Sequence, residues 1–93
     1  MIESAIESAC VAYAARQGIL SYKLQAGVTG VPDRMFLLPG GRAWMVEMKT
    51  STGRLSPRQK WVHGELALAG HPVTIIRSLL EFKEALTPKL KMM

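Results

Sequence analysis

The chain has 93 residues, of which 48% are hydrophobic and 20% are charged, and its net charge of +5 suits a polyanionic partner. This length predicts one domain, spanning residues 1–93, near the lower limit for a self-sufficient core, and the composition excludes a disordered chain. The single cysteine excludes an intramolecular disulfide framework, and without a long apolar run or a signal-peptide pattern we expect a cytoplasmic protein that does not cross a membrane.

The first predicted element is a helix over residues 2–17, with Gly18 as its stop. Apolar residues at helical spacing predict its buried stripe; they are Ile2, Ile6, Ala9 and Tyr13. Glu7 has apolar neighbours on the helix and should be partly buried, which is costly unless it has a partner such as a metal ion. The helix dipole alone explains Glu3, so we favour Glu7 over Glu3 as an acidic site residue.

A short strand is predicted over residues 19–24, followed by a glycine-rich loop over residues 25–32. Lys23, in the strand, is a candidate DNA phosphate contact; the alternative is a solvated surface lysine. The loop leads directly into Asp33 and should form one wall of a cleft. It has no Gly-x-x-x-x-Gly-Lys pattern, which argues against a nucleotide-phosphate loop.

The stretch after Asp33 is predicted to fold as a β-hairpin, with strands over residues 35–38 and 43–48 joined by Pro39-Gly40-Gly41. A three-residue loop sets Asp33 opposite Glu47 on one face of the sheet, whereas a two-residue loop would turn Asp33 to the other face. We predict the three-residue register. Apolar residues on both faces of the second strand indicate a sheet covered by helices on both sides.

The predicted register gathers Asp33, Glu47 and Lys49 on one side of the sheet, because residues two apart in a strand share a face. Two carboxylates at cross-strand distance repel each other. Mg²⁺ or Mn²⁺ would relieve that repulsion, because hard cations take oxygen ligands. Lys49 could orient or deprotonate a water molecule, or offset charge on a phosphodiester. The alternative is a bend aspartate beside a solvated Glu–Lys pair.

A second helix is predicted over residues 57–69, with Ser56 as its N-cap and Gln59 completing a capping box. Gln59 therefore has two interpretations, as a cap of its own helix or as a side chain that faces the metal site, and we favour the site. Three cations cluster at this helix start and predict contact with a DNA backbone; the alternative is a solvated basic surface. They are Arg54, Arg58 and Lys60.

The rest of the chain predicts supporting structure. Trp61 is a core or dimer contact, and the solitary His63 and His71 form no paired metal-ligand motif, so both are assigned to structural or surface positions. A strand is predicted over residues 73–76. A third helix, opened by a capping box at Ser78 and Glu81, should run over residues 79–86 and end at Thr87-Pro88, leaving residues 88–93 as a frayed tail.

Four motifs follow one another at close spacing. They are Gly30-Val31-Pro32-Asp33-Arg34, Pro39-Gly40-Gly41, Val46-Glu47-Met48-Lys49 and Leu55-Ser56-Pro57-Arg58-Gln59. Together they resemble the VRR-NUC domain, the virus-type replication-repair nuclease branch of the PD-(D/E)xK superfamily. The similarity extends over residues 3–81.

The resemblance implies the identity of the site residues. Asp33, Glu47 and the backbone carbonyl of Met48 would bind Mg²⁺ or Mn²⁺. Lys49 would be catalytic, and Gln59 together with a glutamate of the first helix would complete the site.

The resemblance also implies a fold and an activity. The expected fold is a minimal α/β PD-(D/E)xK core, restriction-endonuclease-like, in the order α-β-β-β-α-β-α with a mixed sheet flanked by helices. The expected activity is a metal-dependent endonuclease for branched or structured DNA, since stand-alone viral members resemble homodimeric Holliday-junction resolvases.

Overall fold

A computed structural model describes residues 2–24 and 29–91. Within them the chain forms three helices and four strands in the order α-β-β-β-α-β-α, which confirms the predicted fold. The elements are α1 (Glu3–Arg16), β1 (Leu20–Lys23), β2 (Arg34–Leu38), β3 (Arg42–Met48), α2 (Pro57–Leu68), β4 (Val73–Ile76) and α3 (Leu79–Leu90). Part of the predicted glycine-rich loop, residues 25–28, and the end of the predicted tail, residues 92 and 93, lie outside the described residues.

The four strands form one mixed sheet in the order β1-β2-β3-β4. The first three strands are antiparallel neighbours, and β4 joins β3 in parallel after the crossover through α2. Leu38 pairs with Arg42, which is the predicted register of a three-residue loop. Gly40 and Gly41 in that loop have φ angles of 84° and 77°, a conformation that side chains with a Cβ disfavour. One step beyond the last ladder pair, this register sets Asp33 opposite Glu47.

The hydrophobic core lies between α1, α3 and one face of the sheet. At its centre the Phe82 ring packs against Phe36 and Trp44, with ring centroids 5.0 and 5.2 Å apart. The Trp44 indole N–H donates a 2.8 Å hydrogen bond to the Thr74 hydroxyl, so the buried indole keeps a polar partner. This core fixes β3 in place, and β3 carries Glu47 on its opposite face.

The buried face of α1 differs from the predicted stripe. Ile6, Cys10 and Ala14 are buried, whereas Ile2 is 68% exposed at the helix start. Ile6 was predicted correctly, but the helix is rotated so that Cys10 and Ala14, which were not in the predicted stripe, face inward and allow close approach to the sheet. Tyr13 packs at the edge of this core, with its ring 6.3 Å from that of Phe82.

Helix α3 runs to Leu90, past the predicted end at Leu86, so the predicted frayed tail is wrong for residues 88–90. Pro88 lies in the last turn, where tertiary contacts hold the chain. Arg42 donates a 2.7 Å hydrogen bond to the Lys89 carbonyl, and the Lys89 ammonium lies 5.1 Å from the centre of the Trp44 ring. These contacts offset the hydrogen bond that a proline removes from a helix.

Helix α2 lies on the other side of the sheet, which confirms helices on both faces. Its one buried residue is Val62, and Trp61 is 57% exposed beneath the Arg58 guanidinium. The core position considered for Trp61 is therefore wrong. None of the helices in the described part of the chain has the length and apolar character needed to span a membrane.

Candidate active site

Asp33 and Glu47 meet where β2 and β3 present their second face to α2. The Asp33 Oδ2 atom accepts a 2.7 Å hydrogen bond from the backbone N–H of Met48, the residue after Glu47. Asp33 is half-buried, and Glu47 is only 2% exposed. The predicted pairing of two carboxylates on one side of the sheet is therefore present, and one of the two is almost without water.

Burial sets the electrostatics of Glu47. Burial, followed by the charge of Asp33 and a hydrogen bond with it, raises the pKa of this carboxyl from 4.5 to about 8. Lys49 acts in the opposite direction, which places its ammonium within electrostatic reach of the carboxylate. At neutral pH the protein alone therefore holds a proton on Glu47.

Gln59 caps its own helix and also contacts the acidic pair. Its Oε1 accepts a 2.9 Å hydrogen bond from the Ser56 N–H, while the Ser56 hydroxyl accepts one from the Gln59 N–H, so the capping box is complete. Its Nε2 donates to Glu47 Oε2 at 3.5 Å. The two ends of one amide thus connect the start of α2 to the acidic pair.

His63 also faces the acidic pair, a contact that its assignment to a structural or surface position did not anticipate. Its side chain is 10% exposed, and its Nε2 lies 3.5 Å from Glu47 Oε1. Burial, followed by the charge of Lys49, lowers the pKa of His63. The sequence could have indicated this position, because His63 follows Gln59 by four residues and shares its helix face.

Lys49 follows β3 directly, and its backbone N–H donates to the Ile76 carbonyl at 3.0 Å. The loop after it is held by Arg77, whose Nη1 donates to the carbonyls of Thr50 and Gly53 at 2.7 Å each. The backbone that carries the Lys49 side chain is therefore held in place beside Glu47. Its side chain is half-buried.

The two glutamates of α1 have different surroundings. Glu7 Oε2 accepts a 2.6 Å hydrogen bond from Arg34 Nε, and both side chains are mostly buried. Arg34 lies on the sheet face opposite that of Asp33, so Glu7 is held away from the acidic pair. The charge of Glu3, by contrast, contributes to the raised pKa of Glu47. The ion pair with Arg34 argues against Glu7, and the charge of Glu3, the smallest of the effects on the pKa of Glu47, leaves Glu3 as the alternative for the glutamate of the first helix.

The predicted DNA-contacting cations divide into two groups. Arg54, Arg58 and Lys60 are exposed around the start of α2, near the acidic pair. Arg58 also donates a 3.1 Å hydrogen bond to the Thr29 carbonyl, and so ties α2 to the loop that leads to Asp33. Lys23 lies apart from them, in a groove beside Glu7 and Arg34 on the other face of the sheet.

The acidic pair fits a divalent cation. Glu47 Oε1 is a buried oxygen without a hydrogen-bond partner, and such an atom is normally satisfied by a ligand or water. Asp33 supplies a second carboxylate at the same place, and hard cations take oxygen ligands. Within the described residues no three His, Cys, Asp or Glu side chains are already gathered around one point. The backbone carbonyl of Met48, the predicted third ligand, would complete such a set.

A relative and solved structures, and not a family model, identify the family of the chain. No family model matches the chain. A protein named "Putative nuclease p44", from Acyrthosiphon pisum secondary endosymbiont phage 1, is 35% identical over 77 residues, which cover 82% of this chain and 83% of that protein. A solved structure described as "VRR_NUC domain" superposes with a TM-score of 0.82 at 26% identity, covering 90% of this chain and 92% of its own. The chain belongs to the VRR-NUC family of nucleases.

A second solved structure, a "VRR_NUC domain protein", shares the fold with a TM-score of 0.80 at 14% identity, covering 100% of this chain and 91% of its own. The resemblance noted from the four sequence motifs is thereby confirmed. In this VRR-NUC chain, Asp33 lies just before the hairpin and Glu47 lies on its second strand. Helix α2 covers both with Gln59 and His63.

Proposed function

We propose that this VRR-NUC chain is a divalent-metal-dependent endonuclease that hydrolyses phosphodiester bonds in structured DNA, with four-way junctions as its preferred substrate. The observation that carries the proposal is the pairing of the half-buried Asp33 with the buried Glu47, beneath Gln59 and beside Lys49. A buried carboxyl oxygen without a hydrogen-bond partner, such as Glu47 Oε1, is costly to a fold. Its presence next to a second carboxylate, in a basic protein, supports cation binding beside a polyanion.

Each side chain then has a role that follows from its position. Asp33, Glu47 and the Met48 carbonyl would hold Mg²⁺ or Mn²⁺, which when bound supplies a water of lowered pKa and screens charge on the phosphate. Lys49 would orient the attacking water and offset negative charge that develops on the phosphate. Gln59, anchored at its oxygen by Ser56, would keep Glu47 oriented.

The surface cations suggest where DNA lies. The N–H groups at a helix start attract phosphates, and Arg54, Arg58 and Lys60 are exposed around the start of α2. A DNA backbone on this surface would pass close to the acidic pair. Lys23 lies outside this path, so we expect its contribution to binding to be smaller.

A homodimer fits the small size of the chain, because two copies provide two sites and a longer basic face for a junction. The α2 side of the sheet leaves apolar side chains uncovered on β1 and β2. They are Leu20, Tyr22 and Leu37. Burial of these side chains by a second copy would stabilise a dimer. Sedimentation that shows a monomer at micromolar concentration would contradict this part of the proposal.

The decisive experiment is cleavage of labelled four-way junction, flap, linear duplex and single-stranded DNA in Mg²⁺, in Mn²⁺ and in EDTA. We expect paired symmetric cuts in the junction, abolished by EDTA and by Asp33→Asn, Glu47→Gln or Lys49→Met. Glu84→Gln, which changes an exposed carboxylate of α3, is the matched control and should cleave normally.

Other outcomes would revise specific parts of the proposal. Cleavage of flaps or duplex in place of junctions would keep the chemistry and remove the junction preference. Binding of DNA without cleavage of any substrate, unchanged in all three variants, would indicate a DNA-binding module that retains the nuclease fold.

A further inference from the structure

Two buried atoms at the site face each other without partners. Glu47 Oε1 and His63 Nε2 lie 3.5 Å apart, and neither has a hydrogen-bond partner. Leaving a buried polar atom unsatisfied costs about 1–3 kcal/mol. Two such atoms side by side, one on β3 and one on α2, indicate a common ligand that satisfies both.

The other contacts of Glu47 leave this oxygen free. Its Oε2 is the atom that faces the Gln59 amide nitrogen. Oε1 is therefore the oxygen that a cation would use, and it is directed toward the imidazole. The imidazole itself is held within α2, next to the buried Val62.

The separation of the two atoms suits two ligands of one ion. If a cation lay about 2.1 Å from both atoms, the oxygen and the nitrogen would be about 3.0 Å apart for a right angle at the cation. They would be about 3.4 Å apart for a tetrahedral angle. The observed 3.5 Å is close to the second value and needs a shift of about half an ångström to reach the first.

We propose that His63 Nε2 is a ligand of the cation held by Glu47, and that this nitrogen makes the site favour transition-metal ions over Mg²⁺. The inference rests on the proposed metal dependence and adds a ligand and a selectivity to it. Because Asp33, Glu47 and His63 are not gathered around one point in this structure, they would have to close in on the ion. Imidazole suits the later first-row metals, whereas Mg²⁺ takes oxygen ligands and retains its water. A site of carboxylates and carbonyls alone would discriminate less strongly.

The test measures cation binding by tag-free protein without DNA, so that it does not depend on activity. Calorimetric titrations with Co²⁺ and with Mg²⁺ would compare the unaltered chain, His63→Gln and the matched control His71→Gln, which changes an exposed histidine. The visible absorption of bound Co²⁺ adds a second readout, because it responds to loss of a nitrogen ligand.

We expect His63→Gln to weaken Co²⁺ binding by about tenfold or more and Mg²⁺ binding by less than about twofold. His71→Gln should leave both affinities unchanged. His63→Leu, which fills the space with an apolar side chain, should give the same loss of Co²⁺ affinity. It provides a second variant if His63→Gln unfolds, as judged by its thermal transition.

Two results would overturn the inference. Co²⁺ affinity and absorption that are the same with and without His63 would remove the nitrogen ligand. An equal loss of Co²⁺ and Mg²⁺ affinity would make His63 a residue that merely positions Glu47. Failure of the proposed metal dependence itself would give a different result. The unaltered chain would then bind neither Co²⁺ nor Mg²⁺ more tightly than Glu47→Ala does.

Discussion

The carboxylate of Asp33 accepts a 2.7 Å hydrogen bond from the backbone N–H of Met48, so it joins the start of β2 to the end of β3. Asparagine can still accept that bond, whereas alanine cannot. We therefore expect Asp33→Ala to lower the free energy of unfolding by about 1–3 kcal/mol, and Asp33→Asn to lower it less.

Both Asp33 variants should lose cleavage, because both remove the negative charge. Urea denaturation and junction cleavage of the two proteins would separate the effects. Equal stability of Asp33→Ala and Asp33→Asn would show that the bond to Met48 contributes little to the fold.

Glu3 and Glu7 offer a matched pair of substitutions on one helix. Glu7→Gln removes the charge that pairs with Arg34 and should lower the free energy of unfolding by about 1–3 kcal/mol, with little effect on cation affinity. Glu3→Gln should weaken cation binding and leave the free energy of unfolding nearly unchanged, because Glu3 is exposed and its charge acts on Glu47.

Thermal unfolding and calorimetric titration of both variants would test this contrast. Loss of cation affinity in Glu7→Gln, with Glu3→Gln unchanged, would restore the choice favoured from the sequence.

Gly30 packs against α2 just before Asp33. A Cβ built on it would lie 2.9 Å from the Arg58 carbonyl oxygen and 3.0 Å from Val62 Cγ2, and its φ angle is +95°. Gly18 has a similar φ of +78° but no atom within 4 Å of such a Cβ. Gly18→Ala therefore measures backbone strain alone, expected at about 1–2 kcal/mol.

Gly30→Ala should cost about 1–3 kcal/mol more, because it adds overpacking to the same strain. It should also slow cleavage, since it displaces the segment that positions Asp33. Urea denaturation would show the difference, and equal losses in the two variants would mean that α2 shifts freely to accommodate the methyl group.

The stability of the metal-free protein should fall as pH rises. The pKa of Glu47 is about 8 in the fold against an ordinary value of 4.5. Between these values the unfolded chain has released a proton that the folded chain keeps. Each pH unit should then lower the free energy of unfolding by about 1.4 kcal/mol.

His63 acts in the opposite direction, but in a lower range. Its pKa is lowered in the fold, so the unfolded chain takes up the extra proton, and stability is lost as pH falls below the ordinary value of 6.5. Urea denaturation in EDTA between pH 7 and pH 8, where the unfolded imidazole is mostly neutral, is therefore dominated by Glu47. Glu47→Gln should flatten the slope, and a slope that survives in this variant would assign the effect to another group.

The hairpin was predictable because its determinants are local. The Pro39-Gly40-Gly41 loop length and strict side-chain alternation were enough to set Asp33 opposite Glu47. The start of α2 was predictable for the same reason, since a capping box is complete within four residues.

Features that depend on tertiary packing were not predictable in this way. The rotation of α1, and with it the choice between Glu3 and Glu7, depends on how closely Cys10 and Ala14 allow the helix to approach the sheet. The continuation of α3 through Pro88 depends on Arg42 from a distant strand. His63 was predictable in part, but only after Gln59 had been assigned to the site.

The short hairpin also has a consequence for the order of folding. The bond between Asp33 and Met48 joins residues 15 apart in the chain, whereas the bond between Trp44 and Thr74, which links β3 to β4, joins residues 30 apart. Contacts between near neighbours in sequence form sooner, because less chain entropy is lost. The two carboxylates should therefore meet before β4, whose Ile75 pairs with Glu47, joins β3, and Glu47 should lose its remaining water only at that later step. Alkaline pH would then act mainly on the rate of unfolding, with little effect on the rate of folding, and stopped-flow kinetics at pH 7 and pH 8 would show it.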